Sequence, residues 1–292
     1  MFNDLNIALP DAAGKPNGHM SSIEWARVSQ TIEQARVFGY SVVALNQTVQ
    51  GRLTPEHLAV WKSAPVFKNA VLGWDCKTGA RTGEGAAGRV PRGKIRILRR
   101  VTAVIADAAH GHALGSSGPT ANEYDVVAVQ PASEKIMLAA CSGVWDAVDM
   151  VALDMGARWG FFAKHKTVGQ ALANGLSLEI AYRPALADAA TRQQWVSNAA
   201  GVVRATRGRG LVWTSGARQA LELRTPYDIA NLGEALQLNG DLSKRGLSAN
   251  ARAVLMHGFT RADTQRAVAA VRRLPAEDSA EREPKRSRTG GS

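Results

Sequence analysis

The most constraining feature of this sequence is the alternation of short apolar, β-branched runs with longer amphipathic segments along most of its length. This alternation is typical of a parallel sheet wound with helices. The chain has 292 residues, 45% of them hydrophobic, and about 250 residues commonly close into one (β/α) barrel. We therefore predict an α/β fold, a TIM-barrel-like (β/α) barrel spanning residues 1–275.

Eight segments have the composition of strands, which is the number in a closed barrel of this type. The third segment is long enough to be broken in two. The predicted strands cover residues 4–9, 41–46, 95–107, 125–130, 149–154, 177–182, 211–215 and 253–257.

Helix signals separate several of these strands. Ser21 followed by Glu24 is a capping-box pattern. Thr225 precedes a first-turn proline and Asp228, an acid at the third helical position. The remaining boundary signals are Asp188 as a cap, Asn239 and Gly240 as the end of the helix that follows Thr225, and Thr260 and Pro275 as the ends of the last helix.

Two segments depart from the alternation. Residues 73–93 are rich in Gly and Arg and poor in apolar residues, so burial cannot offset their ordering entropy and we expect a flexible insertion. Its arginines could contact RNA, or the insertion could have no role. Residues 276–292 are expected to be a disordered tail of mixed charge, in which residues 284–288 form a short basic cluster of the kind that serves as a nuclear address.

The chain is strongly basic, with a net charge of +11 and a pI near 10.1. Such charge favours an anionic partner, and arginine, which supplies most of it, suits phosphate contact and base stacking. A solvated basic surface or a charged strand edge is the alternative. The candidate RNA-binding residues are Arg92, Lys94, Arg96, Arg99, Arg100, Arg204, Arg207, Arg209, Arg218 and Arg224.

Cysteine usage and hydropathy bear on the compartment. Cys76 and Cys141 are the two cysteines, too few and too far apart to suggest a disulfide framework or a zinc site. No apolar stretch approaches about 18 residues, and the first ten residues lack a secretory pattern. We expect an intracellular protein with no membrane partner.

Catalytic residues of a (β/α) barrel lie where the strands end. The conventional metal ligands at the predicted strand ends are Asp107, Asp154 and His257, and such scattered residues are more often caps and core hydrogen-bond partners. His110 and His112 follow a strand and are interpreted as a solvated loop. Gly208 and Gly210 flank Arg209, a pattern that favours a tight turn over a phosphate-binding loop.

Several segments resemble one known family, in order and over nearly the whole body of the chain. The family is the thirty-kilodalton protein subunit of ribonuclease P. The segments are NDLN (3–6), GYSVVALN (39–46), YDVVAV (124–129) followed by EK (134–135), YRPAL (182–186), TSGA (214–217), LELR (221–224), PYDIANLG (226–233) and RAVLMHG (252–258).

The resemblance implies a barrel related to the polymerase-and-histidinol-phosphatase superfamily. Metal phosphoesterases that this resemblance brings in carry the motif Asp-Leu-His-x-His on the first strand, and here Asn6 and Ala8 stand at the two histidine positions. Asn46 and Gln47 stand where an Asp-His pair is expected after the second strand. The resemblance therefore implies a chain without catalytic residues or a metal site, although residues 48–68 and 73–93 depart from the pattern.

The resemblance also implies a role in a ribonucleoprotein whose RNA performs catalysis. The family's particles remove the 5′ leader of precursor tRNA, as ribonuclease P, or process ribosomal RNA precursors, as RNase MRP. The expected partners are the catalytic RNA, a small companion subunit and, indirectly, precursor tRNA, in the nucleus and nucleolus. No cofactor is expected on this chain, and Mg²⁺ is expected on the RNA. The alternatives are a stand-alone metal-dependent phosphoesterase and a protein-only assembly module.

Overall fold

The computed structural model describes residues 1–75, 90–115, 118–265 and 268–269. The strands are β1 (Phe2–Ala8), β2 (Tyr40–Gln50), β3 (Ala70–Leu72), β4 (Ile95–Ile105), β5 (Val126–Pro131), β6 (Met150–Ala152), β7 (Ser177–Ala181), β8 (Leu211–Thr214), β9 (Thr264–Gln265) and β10 (Val268–Ala269). The helices are α1 (Ser22–Val37), α2 (Ala59–Lys62), α3 (Ala108–Gly111), α4 (Pro119–Asn122), α5 (Glu134–Cys141), α6 (His165–Ala173), α7 (Ala189–Thr206), α8 (Pro226–Ala235), α9 (Gly240–Leu247) and α10 (Ala249–Asp263).

Seven parallel strands form the wall of a barrel, in the order β1-β2-β4-β5-β6-β7-β8. β3 pairs with the first residues of β4 beside this path. The segment after β8 closes the ring, because the Gly216 N–H donates to the Asn6 carbonyl and the Ala8 N–H donates to the Ala217 carbonyl, both at 2.8 Å. The predicted (β/α) barrel is confirmed, with seven strands in its wall among the described residues.

The predicted eighth strand, residues 253–257, is wrong, and so is a last helix that begins at Thr260. Both lie within α10. Ala251, Val254 and Leu255 are buried at helical spacing, which is the period of an amphipathic helix. α10 contacts β1, β5 and β8, and its buried residues cover the amino-terminal mouth of the barrel.

Three predicted helix starts are confirmed, and the predicted end of the helix that follows Thr225 is wrong. Ser21 and Thr225 each form a full capping box, with Glu24 and Asp228 respectively, and Asp188 caps α7. α8, however, ends at Ala235, and Asn239 accepts from the Asp241 N–H as the cap of α9. An Asn-Gly pair satisfies a helix start as well as a helix stop.

Part of the predicted insertion packs against the barrel. Trp74 is buried, and its ring lies 5.4 Å from that of Trp61 in an edge-to-face contact. The prediction of a flexible segment over residues 73–93 is therefore wrong at this end, because a buried indole anchors the chain. Residues 76–89, with Cys76, and residues 270–292, with the predicted tail and basic cluster, lie outside the described residues.

The rest of the core lies between the sheet and the surrounding helices. Cys141 is buried on α5, and this burial raises the pKa of its thiol to about 12. His110 lies half-buried in α3 and His112 lies exposed in the following 3-10 turn, so the segment interpreted as a solvated loop consists of two short helical turns. No helix in the described part of the chain combines the length and apolarity needed to cross a bilayer.

Candidate functional site

The inner face of the barrel carries a cluster of buried polar side chains, which we call the lumen cluster. Alternation along the strands places these side chains inside, above an apolar layer that includes Val42, Leu98 and Val212. The lumen cluster consists of Asn6, Asn46, Arg100, Thr102, Glu179 and Thr214.

An ion pair between Arg100 and Glu179 forms the centre of the lumen cluster. The Arg100 guanidinium donates to both carboxylate oxygens, at 2.7 Å and 2.5 Å, and neither side chain is more than 2% exposed. It also donates to the Leu5 carbonyl at 2.9 Å and to the Thr102 hydroxyl. This two-pronged geometry is the one in which a guanidinium binds a carboxylate most strongly.

Neutral groups satisfy the remaining hydrogen-bonding capacity of the cluster. Glu179 accepts from the Asn6 amide at 2.8 Å and from the Thr214 hydroxyl at 2.5 Å. The Asn46 amide donates to the Asn6 oxygen, and Thr102 donates to the Asn46 oxygen, each at 2.8 Å. These hydrogen bonds join five strands across the lumen: β1, β2, β4, β7, which carries Glu179, and β8, which carries Thr214.

The charges of the ion pair decide the ionisation state of Glu179. Burial opposes ionisation of Glu179. The positive charge of Arg100 and the hydrogen bonds from Arg100, Thr214 and Asn6 outweigh burial and hold the pKa of Glu179 below its usual value. The carboxylate is therefore charged at neutral pH and compensated by one guanidinium.

The residues in the lumen do not fit the phosphoesterase metal site that the sequence resemblance would place there. Asn6 and Asn46 direct their amide groups to each other and to Glu179, and Ala8 has no ligand atom. The Arg100 guanidinium already supplies the positive charge beside the carboxylate. A divalent cation beside that guanidinium would be repelled. Within the described residues, no group of three or more His, Cys, Asp or Glu side chains could hold a metal.

The side chains of the alternative catalytic set do not converge. Asp107 is exposed and caps α3, and Asp154 is exposed and accepts from the Gly156 N–H. His257 lies on α10, at the opposite mouth of the barrel, where its ring is 2.7 Å from the Asp149 carboxylate. His257 lies on a helix and not at the end of a strand. It therefore does not meet Asp107 and Asp154, and these three residues do not form the metal site that the phosphoesterase alternative requires.

Gln47, the other residue at the expected Asp-His pair, faces away from the lumen. Its amide nitrogen donates to the carbonyls of Ala13 and His57, and its oxygen accepts from the Tyr124 hydroxyl at 2.7 Å. These three hydrogen bonds hold the segments that contain Ala13, His57 and Tyr124 against β2. The role of Gln47 in the fold is structural.

A second buried charge cluster joins α10 to the barrel. Asp149 accepts from Arg261 at 3.0 Å and from the Val127 N–H at 2.7 Å, in addition to its contact with His257. Burial opposes ionisation of Asp149, but Arg261 and His257 outweigh it and lower its pKa. Arg261 also donates to the Ala121 and Tyr124 carbonyls, so this helix closes the amino-terminal mouth through one arginine.

Asp4 is also a buried acid, but its pKa is shifted in the opposite direction from those of Glu179 and Asp149. Burial raises its pKa, although hydrogen bonds from Ser215 and Asn6 oppose the shift. One oxygen accepts from the Asn6 and Ser215 N–H groups, and the other has no hydrogen-bond partner in the described part of the chain. This environment favours the protonated carboxyl group.

We expect Asp4→Asn to stabilise the protein increasingly as the pH rises. A folded-state pKa above the unfolded value gives stability that is present below the unfolded pKa and lost as pH rises through the folded pKa. Asn keeps the acceptor oxygen and has no charge to bury. Urea unfolding at pH 5 and pH 8 measures this, and a difference between variant and wild type that shrinks with pH would contradict it. Ser22→Ala, an exposed change, is the control.

The structure divides the first predicted RNA-binding cluster. Arg92 and Lys94 are exposed before β4, and their contact with RNA stays a prediction. Arg96, Arg99 and Arg100 are at most 3% exposed, which corrects the prediction of one basic surface. The reason is that β4 lies within the barrel wall, paired on both sides, so its side chains point either into the lumen, as Arg100 does, or into the packing outside, where Arg99 meets Trp74.

The buried guanidinium of Arg99 is stabilised by protein groups in place of solvent. Its guanidinium carbon lies 5.8 Å from the centre of the Trp74 ring, and a nitrogen lies 4.0 Å from the Glu123 carboxylate. An aromatic face and an acid stabilise the charge there. This arginine therefore anchors the start of the 73–93 segment on the folded body.

The second predicted cluster is on the surface. Arg204, Arg207 and Arg209 are exposed at the end of α7. Arg207 has φ 54° and the glycines on either side of Arg209 have φ 74° and 61°, so the predicted tight turn is confirmed. Gly208 and Gly210 allow this left-handed backbone, and RNA contact by the arginines stays a prediction.

Arg218 and Arg224 lie on the loop after β8. Arg218 is exposed and its guanidinium is 3.6 Å from Asp11. Arg224 is half-buried, donating to the carbonyls of Leu221 and Leu223, while its backbone N–H donates to the Tyr182 hydroxyl at 2.9 Å. The Arg224 guanidinium thus braces its own loop, and RNA contact by either residue stays a prediction.

The fold and the lumen define a (β/α) barrel whose interior is filled by its own side chains, with its free positive charge outside. A family model described as RNase P subunit p30 matches residues 1–263. The chain belongs to the RNase P subunit p30 family.

Individual relatives agree with this assignment. The chain is 29% identical to the probable ribonuclease P protein subunit 3 of Schizosaccharomyces pombe, over 92% of this chain and 98% of that one. It is 32% identical to ribonuclease P protein subunit p30 of Mus musculus, over 79% and 80% of the two chains. A chain of an archaeal ribonuclease P structure with mature tRNA shares the fold, with a TM-score of 0.59 at 12% identity over 85% of this chain and 96% of that one.

Proposed function

We propose that this chain is a non-catalytic protein subunit of a ribonuclease P-type ribonucleoprotein, in which it binds and braces RNA and partner subunits. The observation that carries the proposal is the family match over residues 1–263. The lumen supports it, because the position of a phosphoesterase centre holds the Arg100–Glu179 ion pair. Chemistry on RNA would then come from elsewhere in the particle.

The exposed arginines supply the RNA-binding surface in this proposal. Guanidinium groups that neutralise phosphates release counterions, so binding should weaken steeply with salt, by about 0.7–0.9 logarithmic units per contact and per logarithmic unit of salt. The partners we propose are the catalytic RNA, a small companion subunit and, indirectly, precursor tRNA, of ribonuclease P, RNase MRP or both. The compartment is the nucleus and nucleolus, and Mg²⁺ is held by the RNA.

Purification of the tagged full chain from its own cells tests the proposal. We expect one structured RNA to be enriched with other subunits, and the purified particle to remove the 5′ leader of a precursor tRNA or to cleave a ribosomal RNA precursor. Recovery of proteins without a structured RNA would favour a protein-only module and contradict the proposal. Metal-dependent phosphate release by the isolated chain, lost in His257→Ala, would overturn the non-catalytic role.

A further inference from the structure

A surface groove of about 930 Å³ lies between the segment that precedes α6 and the outer side of α7. Its volume is in the range of sites that hold small ligands, roughly 300–1,000 Å³. Three aromatic residues line it on one side, Trp159, Phe161 and Phe162. Gly201 on α7 forms part of its floor, and a Cβ added there would meet nothing within 4 Å.

The aromatic side of the groove is preorganised. The rings of Trp159 and Phe161 are stacked, with centres 6.2 Å apart and planes 17° apart. The Trp159 indole N–H donates to the Asp154 carbonyl, and Asn198 of α7 donates to the carbonyls of Met155 and Ala157 at 3.0 and 2.8 Å. These bonds hold an irregular segment in one conformation.

Phe162 projects from this braced segment and is 86% exposed. Solvent exposure of a whole phenyl ring is unfavourable, and the neighbouring Phe161 is buried. The fold therefore presents one free aromatic face beside a fixed pair of rings. Flat aromatic surfaces of this kind are what unpaired nucleic acid bases stack on.

The charge around the groove is of one sign. Arg158 and Arg204 line it, both exposed and both without an ion-pair partner among the described residues, together with His165. None of the Asp and Glu residues that the structure describes lines it. Guanidinium groups beside aromatic faces complement the phosphate and the base of a nucleotide respectively.

We propose that this groove, which we call the 158–204 groove, binds an unpaired nucleotide of RNA, with its base stacked on Phe162 and its phosphates on Arg158 and Arg204. This inference rests on the proposed function and adds a ligand class and a position to it. Charge complementarity favours RNA over a protein segment as the occupant. Single-stranded RNA is favoured over a duplex, because only an unstacked base exposes its face to an aromatic side chain.

Binding of a fluorescent ten-nucleotide single-stranded RNA of mixed sequence to the purified full chain tests the proposal. Removing an aromatic ring on which a base stacks lowers affinity by roughly five- to a hundredfold. We expect Phe162→Ala and Phe162→Leu to lower the affinity for the oligonucleotide by a factor in that range, and Phe162→Trp to bind it as tightly as wild type does. Arg204→Ala should reduce the salt slope by about 0.7. A 4-thiouridine probe should crosslink within residues 158–162.

An occlusion variant tests the location independently of the aromatic ring. Gly201→Leu adds a side chain that projects into open space, and it replaces glycine by a better helix former within α7. The variant should therefore fold and should weaken binding of the oligonucleotide at least about tenfold if a base occupies the floor. Thermal unfolding of each variant confirms that loss of binding does not follow from loss of structure.

Matched surface variants are the controls. Val66→Ala removes an apolar side chain that is 88% exposed outside the groove, and Arg27→Ala removes an exposed charge on α1. Neither should change binding more than twofold. Unchanged affinity in Phe162→Ala and Gly201→Leu would overturn the proposal, as would tighter binding of the duplex form of the probe.

Two further outcomes separate this proposal from the proposed function. If the groove variants bind the oligonucleotide as wild type does but still purify with a structured RNA, the groove is wrong and the subunit role stands. If Phe162→Leu retains a protein in the purified particle that Phe162→Ala loses, and oligonucleotide binding is unaffected, the occupant is an apolar protein segment and the RNA assignment is overturned.

Discussion

Replacing Arg100 by Met is expected to lower the free energy of unfolding by about 3–5 kcal/mol, because it leaves the Glu179 carboxylate buried without its cation. Glu179 is 2% exposed at its side chain, so solvent cannot compensate it. Thr214 and Asn6 would still donate to the carboxylate but carry no charge. Urea unfolding of the full chain at neutral pH measures the loss.

The double variant Arg100→Met with Glu179→Met shows whether the charge or the volume matters. Replacing both members of a buried ion pair by apolar residues of similar volume is often neutral or stabilising, so we expect recovery of most of the loss. The recovery should be incomplete, since Asn6 and Thr214 lose an acceptor. A double variant less stable than Arg100→Met would contradict this account.

The exposed ion pair between Lys164 and Glu134 is a matched control. Its atoms are 2.6 Å apart, as close as those of the buried pair, but the side chains are 64% and 45% exposed. Pairs in such a setting contribute about 0–1 kcal/mol. Lys164→Met should therefore change the free energy of unfolding by less than about 1 kcal/mol, and an effect equal to that of Arg100→Met would show that burial is not the cause.

Replacing Arg261 by Leu is expected to destabilise the protein by a similar amount, about 3–5 kcal/mol, and to loosen α10. The change leaves Asp149 fully buried with the His257 ring as its remaining side-chain partner. It also removes the donor for the Ala121 and Tyr124 carbonyls. Hydrogen exchange of the α10 amides, measured with urea unfolding, should show the helix opening before the barrel.

The pH dependence of this variant distinguishes charge from packing. Asp149 has a lowered folded-state pKa, so its stabilising effect is present above the unfolded pKa and lost as pH falls through the folded value. In Arg261→Leu the free energy of unfolding should depend less steeply on pH in the acid range, because the pKa of Asp149 returns toward or above its unfolded value. Adding Asp149→Asn, which keeps an acceptor for the Val127 N–H, should recover part of the stability.

Arg252→Ala on the exposed side of the same helix is the control for α10. Arg252 is exposed, and surface substitutions of this kind usually change stability by less than about 0.5 kcal/mol. If Arg252→Ala loosened the helix as much as Arg261→Leu, general helix stability would explain the result and the Asp149 contact would not.

The two buried ion pairs show where sequence reasoning fell short. Arg100 was predicted to face RNA because it lies in a run of basic residues, and it faces the lumen instead. A signal was present, since Glu179 interrupts the apolar strand Ser177–Ala181 much as Arg100 interrupts β4. An acid in one buried strand and three arginines in another indicate an ion pair. The spacing in sequence does not say which arginine faces Glu179, or that the two strands face each other across the lumen.

The wrong eighth strand has a related cause. Residues 253–257 are an apolar run too short to separate a buried strand from a buried helix. Gly258 indicates that the backbone of this segment packs closely against another part of the chain, because a Cβ there would collide with the Asp125 carbonyl oxygen. Its neighbour in space belongs to the segment before β5, so the contact that decides the conformation is tertiary.

The sequence by itself determined the class of fold, the helix starts at Ser21, Asp188 and Thr225, and the family. Alternation, capping residues and the order of the matching segments are patterns in the sequence that can be recognised without knowledge of tertiary contacts. Only the tertiary structure decided which charges are inside. Arg100, Arg99 and Arg261 have the same side chain as Arg204, and what separates them is the distance to an acid or an aromatic ring contributed by a remote strand or helix. Burial and pairing depend on such remote neighbours, so the chemistry of a charged residue is a property of the folded chain.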